Sequence, residues 1–337
     1  MRVIKSACAA LVVGALLALT GAANAADPVK IRYGLIVLPA SWGPILLEKK
    51  DLMTNFGKTY VAETYHFAGS SPMVTALASR DIELVQLNFA SLAAAIENAE
   101  LTDLRIIADE VRDGVPGYDS VPFAALKDGP VKKVEDLKGR IVGTNARGTA
   151  VDIGMRIMLR KAGLEDKRDY TIVEVAFPNM VTTLNEKKID IAPIPAPWSQ
   201  MPKTWETLKP LFTLRDAFGS TELSMWVGRQ PFLEKNRAAI VDFFADVLRV
   251  ERWYLDPKNH DEAVQLVAKV TKLPPETFKG WLYTKKDLYR DPEGKIDVAA
   301  LQKNMDLQQE LGFQKTKIDA SKYVDMSYVE EAAKRLK

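Results

Sequence analysis

The sequence predicts an α/β protein of two similar lobes followed by a helical C-terminal tail. Three observations carry that expectation. Short apolar runs alternate with amphipathic stretches from Val29 onward, a twelve-residue pattern recurs 107 residues downstream, and the periodicity turns mostly helical after about Pro231. The 337 residues are 47% hydrophobic and 27% charged, which is globular, and the length suits two domains of about 150 residues each. Lys and Arg number 46 against 44 Asp and Glu, a balance that argues against a chain living by phosphate neutralisation, so no nucleic-acid partner is expected.

Residues 1–25 stand apart as a signal peptide. Arg2 and Lys5 precede an apolar run over 9–19, and Ala23-Asn24-Ala25 supplies small residues at a cut site. The run is too short to span a bilayer, and no later stretch is long and apolar enough to do so. A cleaved export signal and a periplasmic location follow as expectations. Cys8, the single cysteine, falls inside this segment, so the remainder carries no thiol chemistry, disulfide or cysteine metal site. Without Arg2 and Lys5 the chain holds 44 basic and 44 acidic residues. Its overall field would then do little to steer a charged ligand.

Along the rest, strands are expected over 30–37, 59–67, 82–88, 104–111, 122–126, 140–144, 170–176 and 189–193. Helices between them begin near Gly43, Pro72, Ala90, Thr149 and Asn179. The Thr149 helix follows a strand and a short loop, shows an apolar stripe at Val151, Met155, Met158, Leu159 and Ala162, and stops at Gly163. In the tail, Ile240, Phe243, Phe244, Val247 and Leu248 keep helical spacing in a helix that must end by Pro257. Asp261 can cap the next, through Val264 and Val267; Pro274-Pro275 starts another, and 297–311 forms one closed by Gly312. The internal echo pairs Met73-Val-Thr-Ala-Leu-Ala-Ser-Arg-Asp-Ile-Glu-Leu84 with Met180-Val-Thr-Thr-Leu-Asn-Glu-Lys-Lys-Ile-Asp-Ile191. Two lobes of one design, each starting a helix after a strand, would face one another across a cleft.

The candidate chemistry sits at these strand-to-helix turns. In Gly69-Ser70-Ser71-Pro72, Ser70 or Ser71 can cap, Pro72 suits the first turn, and Gly69 admits close approach to the backbone. Phe177-Pro178-Asn179 is the counterpart in the second lobe. Asn145-Ala146-Arg147-Gly148-Thr149-Ala150 adds a guanidinium able to grip an acidic head. Free amides and the positive helix end make such turns anion sites. Ser41 with Trp42, Asn88 with Phe89, and Pro197 with Trp198 each follow a strand, where aromatic rings commonly line a crevice. Trp226 is a further candidate wall. Asp152 either meets an ammonium group or lies on a solvated helix face. His66 and His260 are isolated, and the pairs Asp109/Glu110 and Glu330/Glu331 fall where solvated faces are expected. The chain has no nucleophile elbow, P-loop or dinucleotide fingerprint, so no catalytic residue, metal or cofactor is expected.

In order and spacing, three stretches resemble the substrate-binding proteins of bacterial ABC transporters, in their nitrate, sulfonate, taurine and thiamine-precursor class. Gly69-Ser70-Ser71-Pro72 leading to Ala76-Leu77-Ala78-Ser79-Arg80-Asp81-Ile82-Glu83 is similar to that family's A-L-A-S-G-D-I-D segment. Val134-Glu135-Asp136-Leu137-Lys138-Gly139-Arg140 looks like its D-L-K-G-K stretch. Leu184 to Ile191 with Ala196-Pro197-Trp198 resembles its second-lobe motif. Arg80 and Lys188 replace the family's usual Gly, which would matter little on a helix end. Val151 stands where sulfonate binders often carry His, which weakens a sulfonate or taurine assignment. The resemblance implies a type II-like periplasmic-binding-protein fold with two crossing hinge segments. Its first lobe would be 26–122 with 226–337 and its second 123–225, with Trp198 beside a crossing. It also implies a monomer that captures a small organic anion and passes it to an inner-membrane ABC permease and its ATPase. The same fold serves thiamine-pyrimidine synthesis enzymes, ligand sensors for membrane receptors and tripartite transporters, which are the alternatives.

Overall fold

The computed structural model describes residues 27–36 and 39–336. The signal segment with Cys8 and the end of the first expected strand lie outside the described residues. The first lobe begins with β1 (Val29–Leu35), α1 (Gly43–Leu47), β2 (Tyr60–His66), α2 (Ser70–Ala78), β3 (Leu84–Leu87), α3 (Phe89–Asn98) and β4 (Leu104–Asp113). The second lobe follows as β5 (Pro122–Leu126), β6 (Arg140–Thr144), α4 (Ala150–Lys161), β7 (Tyr170–Glu174), α5 (Met180–Asn185), β8 (Ala192–Pro193), α6 (Thr204–Thr207), β9 (Leu208–Thr213) and α7 (Leu214–Phe218). The chain then returns through β10 (Thr221–Arg229) to the tail helices α8 (Gln230–Lys235), α9 (Arg237–Leu255), α10 (His260–Thr271), α11 (Val298–Glu310) and α12 (Ser327–Lys334).

The two sheets share one order. The first is β2-β1-β3-β10-β4, with β10 antiparallel to both neighbours. In the second lobe β6 pairs with β7, and β5 runs antiparallel between β8 and β9. A bridge from Val142 to Ile191, where Gly143 N donates to Ile191 O at 2.8 Å, joins the two parts. Read across that bridge the order is β7-β6-β8-β5-β9, the order of the first sheet, with β5 in the place of β10. In each lobe the antiparallel strand is the one the chain forms just after crossing over.

The sequence echo has a structural cause. Met73 and Met180, Leu77 and Leu184, and Ile82 and Ile189 are buried at matched positions, because each helix rests its apolar stripe on its own sheet. The turn after each helix uses a left-handed residue, Arg80 at φ 63° and Lys187 at φ 57°. Glycine is the residue at ease in that conformation, so its replacement carries strain, and the second replaced position is Lys187 rather than Lys188. The acid that follows ties the next strand to the first. Glu83 accepts from Arg32 N at 2.7 Å, and Asp190 from Ile141 N at 3.0 Å.

Two strands, β9 and β10, were not foreseen, and β10 moves the return crossing. Thr221 already pairs with Asp113 of the first sheet, so the second crossing falls at Gly219-Ser220 and not at 225/226. The crossings touch: a Cβ on Gly114 would lie 2.2 Å from Gly219 O, and Gly114 holds φ 73°. Asp113 closes the first crossing by accepting from Ser120 Oγ at 2.6 Å and Val121 N at 2.8 Å. In the tail, α10 starts at His260, so Asp261 lies inside its first turn instead of capping it. Pro275–Thr277 is a single 3-10 turn, whereas Asp297 does cap α11 through Ala300 N at 2.9 Å. No helix among the described residues is long and apolar enough to cross a membrane.

Candidate ligand-binding site

The lobes enclose a chambered cleft. An inner chamber of about 80 Å³ is walled by the first lobe through Ser41, Ser70, Asn88, Val111 and Ser224, and by the second through Asn145, Thr149, Ala150, Val151 and Pro195. An outer chamber of about 260 Å³ is lined by His66, Phe67, Pro178, Pro197, Trp198 and the end of α10. Ile36 and Phe177 line both chambers. Among the described residues no charged side chain lines the inner chamber.

Three helices start on its wall. Asn88 caps α3 by accepting from Ser91 N at 2.9 Å, and Thr149 caps α4 by accepting from Asp152 N at 3.4 Å. Helix α2 begins at Ser70 after an extended Gly69, so neither Ser70 nor Ser71 is the cap. First-turn amides have no acceptor inside their own helix, and the positive dipole ends of α2, α3 and α4 meet at one place. The hydroxyls between them are tied together. Asn88 Nδ2 donates to Ser70 Oγ at 2.7 Å, Ser70 and Ser91 share a hydrogen bond of 2.6 Å, and Thr149 Oγ1 donates to Asn145 Oδ1 at 3.0 Å.

The same turns latch the lobes to each other. Ser71 Oγ donates to Arg147 O at 3.0 Å, Ser91 Oγ to Gly148 O at 3.3 Å, and Asn145 Nδ2 to Ala68 O at 3.2 Å. Gly69 makes that approach possible, since a Cβ there would lie 2.9 Å from Asn145 Nδ2 and 3.1 Å from Ala146 Cβ. Gly148 supports it with φ 73°, a turn conformation that suits glycine.

Behind Ser41 and Ser224 lies a buried relay that the sequence pattern did not reveal. Ser41 Oγ donates to Gln86 Oε1 at 2.7 Å, Gln86 Nε2 donates to Glu110 Oε1, and Ser224 Oγ donates to Glu110 Oε2 at 2.5 Å. Trp42 N adds a bond to Glu110 Oε1 at 3.0 Å. Burial pushes the Glu110 carboxyl up to about 7, against the pull of the Ser224 and Trp42 donors. The expectation of a solvated face for Asp109/Glu110 therefore fails: both are buried in β4.

Several other expectations are corrected by position. The Arg147 guanidinium points away from the chamber, to Asp166 Oδ2 at 3.4 Å and Ile172 O at 3.1 Å, and it is half exposed on the second lobe. The Trp42 ring is buried against Tyr254 and Tyr283, and Trp226 against Tyr33, Phe243 and Phe244, because the tail helices cover that face of the first sheet. Phe89 packs edge-on to Phe218 with ring centroids 4.8 Å apart, joining the lobes behind the cleft. None of these three rings lines a chamber. Asp152 is buried and not solvated. It accepts from Gly148 N at 2.9 Å and Arg156 Nε at 3.0 Å, with burial raising its carboxyl and Arg156 opposing. Asn179 is exposed outside both chambers. Among the candidates, Ser41, Ser70, Asn88, Thr149 and Ala150 meet in the inner chamber, and Pro178, Pro197 and Trp198 in the outer one.

Two α/β lobes of one strand order, joined by touching crossings and facing each other across a cleft, define the two-lobe periplasmic-binding-protein fold. The chain belongs to the NMT1-like family, whose model matches residues 24–268. No curated protein sequence matches it. Among solved structures it is similar to the alkanesulfonate-binding protein SsuA from Xanthomonas axonopodis pv. citri, bound to MOPS, at a TM-score of 0.69 and 16% identity over 89% of this chain and 99% of that one. The periplasmic nitrate-binding protein NrtA from Synechocystis PCC 6803 gives 0.70 and 16%, over 92% and 89%. The desulfurization enzyme DSZB gives 0.62 and 12%, over 92% and 100%. At these identities the likeness is one of fold.

Proposed function

We propose that the chain is the exported solute-binding component of an ABC importer, a monomer that captures a small organic anion between its lobes and hands it to the permease and ATPase. The observation that carries this reading is the inner chamber itself, where the starts of α2, α3 and α4 converge from both lobes on a space that no charged side chain among the described residues lines. Amides at Ser70 and Ser71, at Phe89 and Ala90, and at Ala150 and Val151 would hold the acidic head without a guanidinium. The outer chamber, with Trp198, Phe67 and Phe177, would take an organic body. A ligand touching both lobes favours the latched form by its differential affinity for it. Binding is favoured over turnover because Ser70, the hydroxyl at a helix start, is bonded to Asn88 and Ser91, with neither a histidine nor a carboxylate as its base.

The test is a thermal-shift screen of sulfonates, carboxylates, nitrate and pyrimidines, followed by calorimetry. At least one acid should raise the melting temperature, and Thr149→Val should weaken its binding about tenfold by unsettling the α4 start. Conversion of a bound compound to product, or a screen in which no acid binds, would overturn the proposal.

A further inference from the structure

We infer that the ligand presents a hydrogen-bond donor, an N–H or O–H group, to Ser41 and Ser224 in the inner chamber. This rests on the reading of the cleft as the solute site, and adds a second recognition end to it. A hydroxyl has one hydrogen and two lone pairs. The Ser224 hydrogen is committed to Glu110 Oε2 and the Ser41 hydrogen to Gln86 Oε1. The direction of the relay is set from its buried end. Above about pH 7 the Glu110 carboxyl is ionised and only accepts, so Gln86 turns its amide nitrogen toward Glu110 and leaves its oxygen for Ser41. Trp42 N, on the same Glu110 oxygen as Gln86, reinforces that direction. Both serines therefore have only lone pairs left to offer the chamber.

An anion placed against them would meet lone pairs backed by the ionised Glu110, and among the described residues no cation lines the chamber to offset it. A donor would be satisfied there, with each serine bond strengthened by the chain behind it. The chamber thus offers donors at the helix starts and acceptors at Ser41 and Ser224. Its ligand is two-ended, with an acceptor or acidic head and an amine, amide or hydroxyl hydrogen.

Calorimetry on the purified protein, at a pH well above the value of about 7 to which Glu110 is raised, tests this with pairs differing only in the donor: 2-hydroxyethanesulfonate against ethanesulfonate, 3-hydroxypropionate against propionate, and 4-aminopyrimidine against pyrimidine. The donor-bearing member should bind at least about tenfold more tightly, the range expected where a buried polar group would otherwise go unpaired. Ser224→Ala, which leaves only Ser41 to accept, should shrink that preference at least about threefold. Glu110→Gln, whose amide can donate to Ser224 and release its hydrogen toward the chamber, should shrink it as well; if that variant does not fold, Ser224→Ala decides. Equal affinities within each pair, or tighter binding of the donor-free member, would overturn the inference while the anion reading stands. Preference for 4-aminopyrimidine with no binding of either acid pair would overturn the anion reading while the inference stands. Failure of every probe would overturn both.

Discussion

The two lobes are alike at one end of their shared unit and unlike at the other. At the turn that closes each helix the copies agree residue by residue: a left-handed Arg80 or Lys187, a buried Ile82 or Ile189, and an acid that grips the neighbouring strand through Arg32 N or Ile141 N. At the start of the helix they part. In the first lobe a nine-residue α2 opens with Ser70 on the inner chamber. In the second, a 3-10 turn over Phe177–Asn179 leads into a six-residue α5, and the residue facing the chambers is the Phe177 ring. Backbone geometry admits few solutions, so the closing turn repeats. The opening turns face the chambers, where the proposed two-ended ligand would meet two different walls.

The sharpest way to break this comparison is to separate the lobes where they touch. Gly69 is extended, at φ −173°, so any residue can adopt its backbone, and only the approach of Asn145 and Ala146 forbids a side chain. Gly69→Val should therefore leave each lobe folded and hold the cleft open. Ligand affinity should fall about 100-fold or more, as expected when the binding-competent form becomes a minor population. Small-angle scattering should show a larger radius of gyration with ligand present. A variant that still closes and binds normally would show that the latch is not needed for capture.

A second pair of glycines asks whether the lobes are equivalent in packing. Gly34 in β1 lies under Ile82, with Met73 Sδ 2.7 Å from where a Cβ would stand, and Gly143 in β6 lies under Ile189, 2.7 Å from its Cδ1. Valine at either site overpacks the sheet-helix layer and should cost about 1–3 kcal/mol in denaturant unfolding. Comparable losses are expected at the two sites. A loss at only one would mean that the lobes share a pattern without sharing a core.

Much of this architecture was legible before the structure, and the failures have a common source. Alternating apolar runs located most strands, and the echo located the repeated unit, because both are local patterns. The strand-to-helix turns pointed to Ser70, Thr149 and Ala150, since a helix start is written in neighbouring residues, and the strand end before Phe89 pointed to Asn88 without revealing that it caps α3. Glu110 was missed because its burial depends on Trp42, Gln86 and Ser224, drawn from three distant segments. Trp42 and Trp226 were misplaced for the same reason, as the rings that cover them, Phe243, Phe244, Tyr254 and Tyr283, belong to the tail. Strand β8 was foreseen as five residues and is two, because its neighbour Ile191 makes only a single bridge to β6.

The closing turns can be sharpened by substitution toward glycine. Arg80 and Lys187 hold left-handed backbone without any glycine-like freedom, and both side chains are exposed. Arg80→Gly and Lys187→Gly should each remove roughly 1 kcal/mol of strain, offset in part by the entropy of a glycine in the unfolded chain. Thermal melts should rise slightly and by similar amounts. A rise at Lys187 alone would assign a separate role to Arg80, which lies beside Arg32, Arg229 and Lys235 on the first lobe.

The smallest expected effect bears on the opening turns. A guanidinium beside a helix start is the obvious anchor for an acidic ligand, yet Arg147 spends its donors on Asp166 and Ile172 O, while its backbone carbonyl takes Ser71. The backbone part of that role survives truncation. Arg147→Ala should therefore leave ligand affinity within about twofold and lower stability by no more than about 1 kcal/mol, the range for an exposed ion pair. Calorimetry beside Thr149→Val separates the two sources of anion binding. If Arg147→Ala costs tenfold in affinity while Thr149→Val costs nothing, the guanidinium must swing into the cleft on binding, and the second lobe would contribute charge where the first contributes amides.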